Sequence, residues 1–198
     1  MKNELNKYKF LANYSEKKLL SIQSAPQWPD NYKHVSDEVT LNFYDGFQLV
    51  VSSSFANSNT LFGSEEDVIF EIKEELNHVP FCNLGDTQIT TILVDEKISS
   101  IRIFFDEVSY VEEKPSKKIM IYPIGLFMQT SSRSIGICKD YLEATWLDAD
   151  FSDADENLLY SIDSRWGSYE NVSPFIVKRL VKDYVSGEVV TIDEKHFL

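Results

Sequence analysis

The stretch Thr87–Met128 limits the fold of this chain more than any other, because it is the longest run of β-favouring residues in the sequence. Within it, residues 100–105 read SIRIFF, where apolar and polar side chains alternate as in a strand with one buried and one partly wet face. Successive strands with short connections favour antiparallel pairing. The predicted strands lie near residues 88–94, 98–105, 107–113 and 118–125. The other elements are therefore expected to cover an antiparallel sheet.

A hairpin is predicted over Val39–Ser54. Its arms alternate polar and apolar residues, and Asp45-Gly46 between them supplies the positive-φ chemistry that a two-residue turn requires. Further strands are expected at Ile135–Cys138 and Tyr141–Leu147, as a second hairpin, and at Glu188–Ile192.

Three segments carry signals that are typical of helices. Residues 173–187 have the fullest set: a serine cap, a proline in the first turn, apolar residues at helical spacing and a glycine at the end. A second helix is predicted over residues 152–166, opened by a Ser-x-x-Asp pattern and ended by Gly167. Residues 65–76 also place apolar residues on one helical face, although their Val-Ile-Phe-Glu-Ile segment is equally typical of a strand.

These patterns predict an α+β fold. The expected architecture is a mainly antiparallel sheet of about seven to nine strands, with two to four helices packed on one face. We predict a single domain over residues 1–198, because no linker or low-complexity stretch divides the chain. A hairpin followed by a Ser-x-x-Asp segment occurs at 39–76 and again at 134–166. This leaves open a duplication into halves of about 1–113 and 114–198.

The charge of the chain bears on its partners. A formal net charge of −13 repels phosphate backbones and anionic lipid head groups, so nucleic acid and membrane surfaces are disfavoured as partners. A basic protein or a cation is the natural complement. The sequence shows no apolar region that is typical of a signal peptide and no stretch of roughly 20 apolar residues. We therefore expect a cytoplasmic protein whose cysteines, Cys82 and Cys138, are reduced.

No pattern for catalysis or cofactor binding stands out. Neither a G-x-S-x-G elbow nor a glycine-rich phosphate loop occurs, and the chain has three histidines to serve as bases. His78 and Cys82 offer two ligands where a zinc site needs at least three from the protein. We predict no catalytic residues, no metal and no cofactor. The abundance of carboxylates makes a hydrolase with paired acids, with or without a divalent cation, the leading enzymatic alternative.

The densest run of carboxylates is Asp148–Glu156. It fails as an EF-hand loop, because the positions that require Asp or Asn, Gly and Glu hold Ser152, Asp153 and Leu159. Acidic residues are favourable at a helix N-terminus, which accounts for the second half of the run without any ligand. That explanation does not extend to Asp148 and Asp150.

Aromatic residues and an arginine surround this acidic run. Trp, Tyr and Arg are enriched at interface hot spots, and a rim of carboxylates steers a basic partner towards them. We therefore predict a non-catalytic binding protein of the immunity-protein, antitoxin or inhibitor kind, which recognises a basic protein partner. Two alternatives remain open: Trp146 and Trp166 are core anchors, or the chain is a structural module that forms a homodimer. The predicted partner-binding residues are Asp148, Asp150, Asp153, Asp155, Arg165, Trp166 and Tyr169.

Overall fold

The computed structural model describes residues 5–28, 31–57, 66–79, 89–111, 119–139, 147–167 and 174–197. Eleven strands make up most of this part of the chain. They are β1 (Lys18–Trp28), β2 (Asn31–Phe43), β3 (Phe47–Asn57), β4 (Glu66–Leu76), β5 (Thr90–Lys97), β6 (Ser100–Tyr110), β7 (Ile119–Gln129), β8 (Ser134–Lys139), β9 (Leu147–Asp150), β10 (Phe175–Asp183) and β11 (Val189–Phe197). Helical structure in these ranges is short: residues 5–6, the 3₁₀ segments η1 (Lys9–Tyr14) and η2 (Glu156–Leu158), and the α-helix α1 (Ile162–Trp166).

The strands form two antiparallel sheets that separate along β2. β1 pairs with β2 along one edge, while the other edge of β2 is shared between two partners. His34 and Val35 pair with β9, whereas Glu38–Asn42 pair with β3. The result is a five-stranded sheet of order β4-β3-β2-β1-β5 and a six-stranded sheet of order β11-β10-β6-β7-β8-β9.

The main core lies between the inner faces of the two sheets. Leu41 from β2, Ile103 from β6 and Ile137 from β8 are fully buried within it. η1 also contributes, because Leu11 and Tyr14 are buried in the same cluster. Side chains that alternate along each strand fill this space, and the opposite face of the six-stranded sheet is left for a second layer.

The α+β prediction is wrong, since the chain is mostly β with short helical segments in place of two to four packed helices. Residues 65–76 contain β4, which pairs with β3 along its whole length. Phe70 and Ile72 are buried, whereas Ile69 and Lys73 on either side of them are exposed, so the strand period outweighs the helical one.

The helix predicted over residues 173–187 is also wrong, because this segment contains β10, between β6 and β11. Val177 is buried on one face of the strand and Leu180 on the other, in different clusters. A strand that is covered on both faces loses its simple alternation, and its apolar residues then imitate a helical stripe.

Several local predictions are confirmed. The hairpin predicted over Val39–Ser54 is confirmed, with φ +84° at Gly46, but its turn has three residues, 44–46, instead of two. β7 and β11 occupy the predicted strand regions and extend further, whereas β6 is one strand where two were predicted at 98–105 and 107–113, so the predicted break at residue 106 is wrong. β8 pairs with β9, but Tyr141–Trp146 of the predicted second hairpin lie outside the described residues.

No helix in the described ranges is long and apolar enough to cross a membrane.

Candidate functional site

The segment 151–167 packs against the outer face of the six-stranded sheet. Two clusters separate from the main core join them, one around Phe127 and Leu159 and one around Val177 and Trp166. The helix predicted over residues 152–166 is reduced to η2 and α1. Ser161 caps α1, because its hydroxyl accepts a hydrogen bond from the Ser164 backbone N–H at 3.1 Å.

Two glycines in the sheet let this segment approach closely. A Cβ at Gly136 would lie 2.8 Å from Ala154 Cβ, and a Cβ at Gly125 would lie 3.0 Å from Leu159 Cδ2. Real Cβ atoms do not come this near, so the glycines in β7 and β8 provide the space that the segment occupies.

A cavity of about 460 Å³ opens where the segment leaves the sheet. It collects the four aspartates that the sequence analysis singled out, because β9 supplies two of them and the chain that follows supplies the others. No lysine or arginine is among the described residues of its lining. The lining consists of Asp148, Asp150, Asp153, Ala154, Asp155, Asn157, Leu158 and Tyr160.

The four carboxylates differ in their surroundings. Asp148 is buried at 5% exposure and lies opposite Cys138 in the β8–β9 ladder. Asp150 Oδ1 accepts hydrogen bonds from the backbone N–H of Ser152 at 2.9 Å and of Asp153 at 3.2 Å. Asp155 accepts from Asn157 through both oxygens, at 2.9 and 2.8 Å. These local bonds shape the loop, as short acidic side chains commonly do.

Asp153 and Asp155 are the exposed members of the set. Asp153 is held in place through its backbone, by a bridge to Ser134 at the start of β8. The cavity therefore has a buried acid at its floor, a half-buried one at Asp150 and two at its mouth.

A buried ionic cluster lies on the same face of the sheet. Asp106 in β6 is 0% exposed and sits directly opposite Arg179 of β10. Arg179 donates to it from Nε at 2.8 Å and from Nη2 at 3.0 Å, and Trp166 donates from Nε1 at 2.8 Å. A bidentate arginine pair with a third donor satisfies the carboxylate, as a buried charge requires.

Arg165 brings a second buried guanidinium beside this cluster. Its Nε lies 4.0 Å from Asp106 Oδ2, and its Nη2 donates to the Lys139 carbonyl at 2.9 Å. Burial lowers the pKa of Arg165, and the charge of Asp106 opposes that effect. One buried aspartate thus faces two buried arginines in the layer that carries the acidic cavity.

The structure separates the predicted partner-binding residues into two groups. Asp148, Asp150, Asp153 and Asp155 line the cavity together, whereas Arg165 and Trp166 are 1% and 2% exposed and lie in the packed layer beneath. In this conformation neither Arg165 nor Trp166 offers surface to a partner, and Trp166 occupies the position of a core anchor. Tyr169 and Trp146 lie outside the described residues. The partner-binding role of the set stays a prediction.

The sequence analysis missed Asp106 and Arg179. Arg179 lies in the segment 173–187 that was predicted to be a helix, and Asp106 lies between the strands predicted near 98–105 and 107–113. They are 73 positions apart, and only the pairing of β6 with β10 places them opposite each other. The available signal was slight: Asp106 follows the apolar pair Phe104-Phe105 in β6, but Glu107 stands directly beside it, and only a buried acid needs a buried partner.

The other candidate residues do not assemble into a reactive centre in the described part of the chain. Burial raises the pKa of the Cys138 thiol well above its usual value, with a further contribution from Asp148, while Arg165 and Arg179 act in the opposite direction. The His78 ring lies between two carboxylates, 2.6 Å from Glu38 and 2.8 Å from Glu75. Within the described ranges, no group of three or more His, Cys, Asp or Glu residues is placed to hold a metal ion.

Comparison of the chain with protein-family models, with curated proteins and with solved structures found no match.

Proposed function

We propose that this chain is a non-catalytic binding protein whose acidic cavity receives cationic side chains of a basic protein partner. The observation that carries the proposal is the convergence of four aspartates on one cavity of about 460 Å³. A concave site with acids on its wall suits an extended lysine or arginine side chain, because a guanidinium or ammonium group is bound best by several oxygen acceptors.

The gradation of burial supports the same function. Exposed carboxylates at Asp153 and Asp155 attract a basic partner from a distance, in keeping with the net charge of −13. The more enclosed acids, Asp148 and Asp150, then meet the cationic head where less water competes for it. The immunity-protein, antitoxin or inhibitor role predicted from the sequence belongs to this class of binder.

Fluorescein-labelled hexa-arginine and hexa-lysine peptides, followed by anisotropy at about 20 mM salt, where screening is weak, test this function. The double substitution Asp153→Asn and Asp155→Asn keeps the size of both side chains and removes two charges, and an asparagine at 155 can still accept the backbone hydrogen bond from Asn157 through its one oxygen. We expect affinity to fall by roughly five- to thirtyfold, since each exposed charge contributes up to about 1 kcal/mol.

The matched control removes two charges elsewhere. Glu188 and Asp193 are exposed, Glu188 just before β11 and Asp193 within it, and neither lines the cavity. The pair Glu188→Gln and Asp193→Asn should change affinity by less than about twofold, because it alters the net charge equally but not the site. Equal losses in the two double variants would mean that peptides bind the overall negative field, and the proposal would fail.

The same titration separates the enzymatic alternative. If Ca²⁺ or Mg²⁺ binds at micromolar concentration and displaces the peptide, the divalent-cation hydrolase becomes the better description. If added cations weaken peptide binding only as their ionic strength predicts, the cavity acts as a receptor for organic cations.

A further inference from the structure

We infer that Asp106 is the positioning residue of the acidic cavity: acting through Arg179 and Trp166, it holds the cavity wall against the sheet in its binding geometry. The consequence for binding rests on the function proposed above, whereas the consequence for the wall does not. Asp106 itself does not line the cavity.

The first connection runs through Arg179. Two of its nitrogens are engaged by Asp106, and the third, Nη1, donates to the Tyr160 carbonyl at 2.6 Å. Tyr160 lines the cavity. The guanidinium plane is rigid, so fixing two of its nitrogens on Asp106 also fixes the direction of the third. Tyr160 in the cavity wall is therefore connected to the Asp106 carboxylate by two successive hydrogen bonds through Arg179.

The second connection runs through α1. Trp166 donates its indole N–H to Asp106, and its neighbour Arg165 donates to the Lys139 carbonyl at the end of β8. Lys139 and Cys138 pair with Leu147 and Asp148 of β9, the strand that carries the floor of the cavity. The floor and the wall are thus tied to one carboxylate from two sides.

The chemistry of the cluster favours a positioning role over simple stabilisation. Buried ion pairs give little net stability compared with apolar residues of similar volume, whereas their hydrogen bonds have fixed directions. The cluster also contains two guanidinium groups and one carboxylate, all at most 7% exposed in their side chains. Its excess positive charge offsets part of the repulsion among the cavity aspartates, so the cluster supports the acidic wall in charge as well as in shape.

Two variants test the inference. Asp106→Asn removes the charge that both arginines face, and Trp166→Phe removes one donor while keeping an aromatic ring. The control Val177→Ala makes a cavity in the same packed layer without changing the hydrogen bonds of Asp106. Val177 pairs with Val108, which lies two positions from Asp106 along β6. Each variant is measured by hydrogen–deuterium exchange over residues 151–160 and over β3 and β4, and by affinity for the hexa-arginine peptide.

We expect both variants to speed exchange in residues 151–160 by roughly tenfold or more, since a lost bond to a charged group is worth about that factor. Amide exchange in β3 and β4 should be as slow as in the wild type. Peptide affinity should be lower in the variants whose exchange over residues 151–160 is faster. Val177→Ala, compared at equal or greater loss of global stability, should leave affinity unchanged. This comparison separates positioning from a general loss of stability.

Two results would contradict the inference. Exchange over 151–160 that does not differ between Trp166→Phe and the control would overturn the inference, as would faster exchange with unaltered affinity. Should Asp106→Asn fail to fold, Trp166→Phe carries the test alone. If the wild type binds no basic peptide, the proposed function fails, and the exchange data still decide whether Asp106 holds the wall.

Discussion

The close approach of Ala154 to Gly136 leads to a quantitative prediction for Gly136→Ala. The added methyl would lie 2.8 Å from Ala154 Cβ, 2.9 Å from Leu158 Cδ2 and 3.0 Å from Phe127 Cε1. Leu158 and Phe127 can rotate, but Ala154 Cβ moves only with its backbone. The substitution must therefore push the segment 151–160 away from β8, or strain the strand.

The expected cost follows from overpacking of a tight layer. We expect the free energy of unfolding to fall by about 1–3 kcal/mol, which lowers the urea midpoint by roughly 0.3–1 M for a slope of about 3 kcal/mol per M. Because Ala154 and Leu158 line the acidic cavity, affinity for the hexa-arginine peptide should fall as well. Urea titration followed by circular dichroism measures the first effect, and anisotropy measures the second.

A double-mutant cycle checks the mechanism. Ala154→Gly removes the atom that the new methyl meets. In the wild type it should lower the free energy of unfolding by about 1 kcal/mol, whereas in the Gly136→Ala background it should raise that free energy by about 1 kcal/mol. Gly167→Ala is the control, because Gly167 has φ −61° and nothing lies within 4 Å of an added Cβ. Gly136→Ala as stable as the wild type, or additive effects in the cycle, would refute the reasoning.

Three further predictions concern titratable groups. Hydrogen bonds from the hydroxyl and backbone groups of residues 130–132 lower the pKa of Glu96 to about 2. The contribution of Glu96 to folding stability is therefore complete above about pH 4.5 and is lost as the pH falls towards 2. When urea unfolding is repeated at a series of acid pH values, Glu96→Gln should lose less stability than the wild type between these two pH values. Burial lowers the pKa of His78, but Glu38 and Glu75 together raise it above its usual value. The contribution of His78 to stability is thus complete below about pH 6.5 and is lost as the pH rises above it, so His78→Gln should flatten the stability curve on the alkaline side of pH 6.5. In a Cys82→Ser background, the buried Cys138 thiol with its raised pKa should react with a disulfide reagent only at the rate of unfolding, and fast labelling of the native protein would contradict its placement.

Local chemistry made some features predictable from the sequence. The hairpin at Asp45-Gly46 needs only a residue that tolerates positive φ and two flanking strands, and the structure confirms this hairpin with a turn one residue longer than predicted. The acidic segment was also visible in the sequence, and its four aspartates line one cavity, because residues 148–155 are close in the chain and an irregular segment keeps them close in space. Neither inference required a distant partner.

The inward orientation of Arg165 and Trp166 could not be predicted from the local sequence. Both are residue types that occur at interface hot spots and in cores, and their burial depends on Asp106 in β6, about 60 positions away. Only the packed layer on the six-stranded sheet decides that the indole and guanidinium groups turn inward. Of the predicted partner-binding residues that the structure describes, the four aspartates line the cavity and these two do not.

By itself the sequence determined that the chain folds around a central β-rich run, that it turns at Asp45-Gly46, and that its acids concentrate in and after β9. Tertiary structure alone decided that residues 66–76 and 175–183 are strands. The physical reason is that β10 is covered on both faces, with Val177 and Leu180 in different clusters and with Arg179 buried against Asp106. A period of two is visible in a sequence only when one face of a strand meets water.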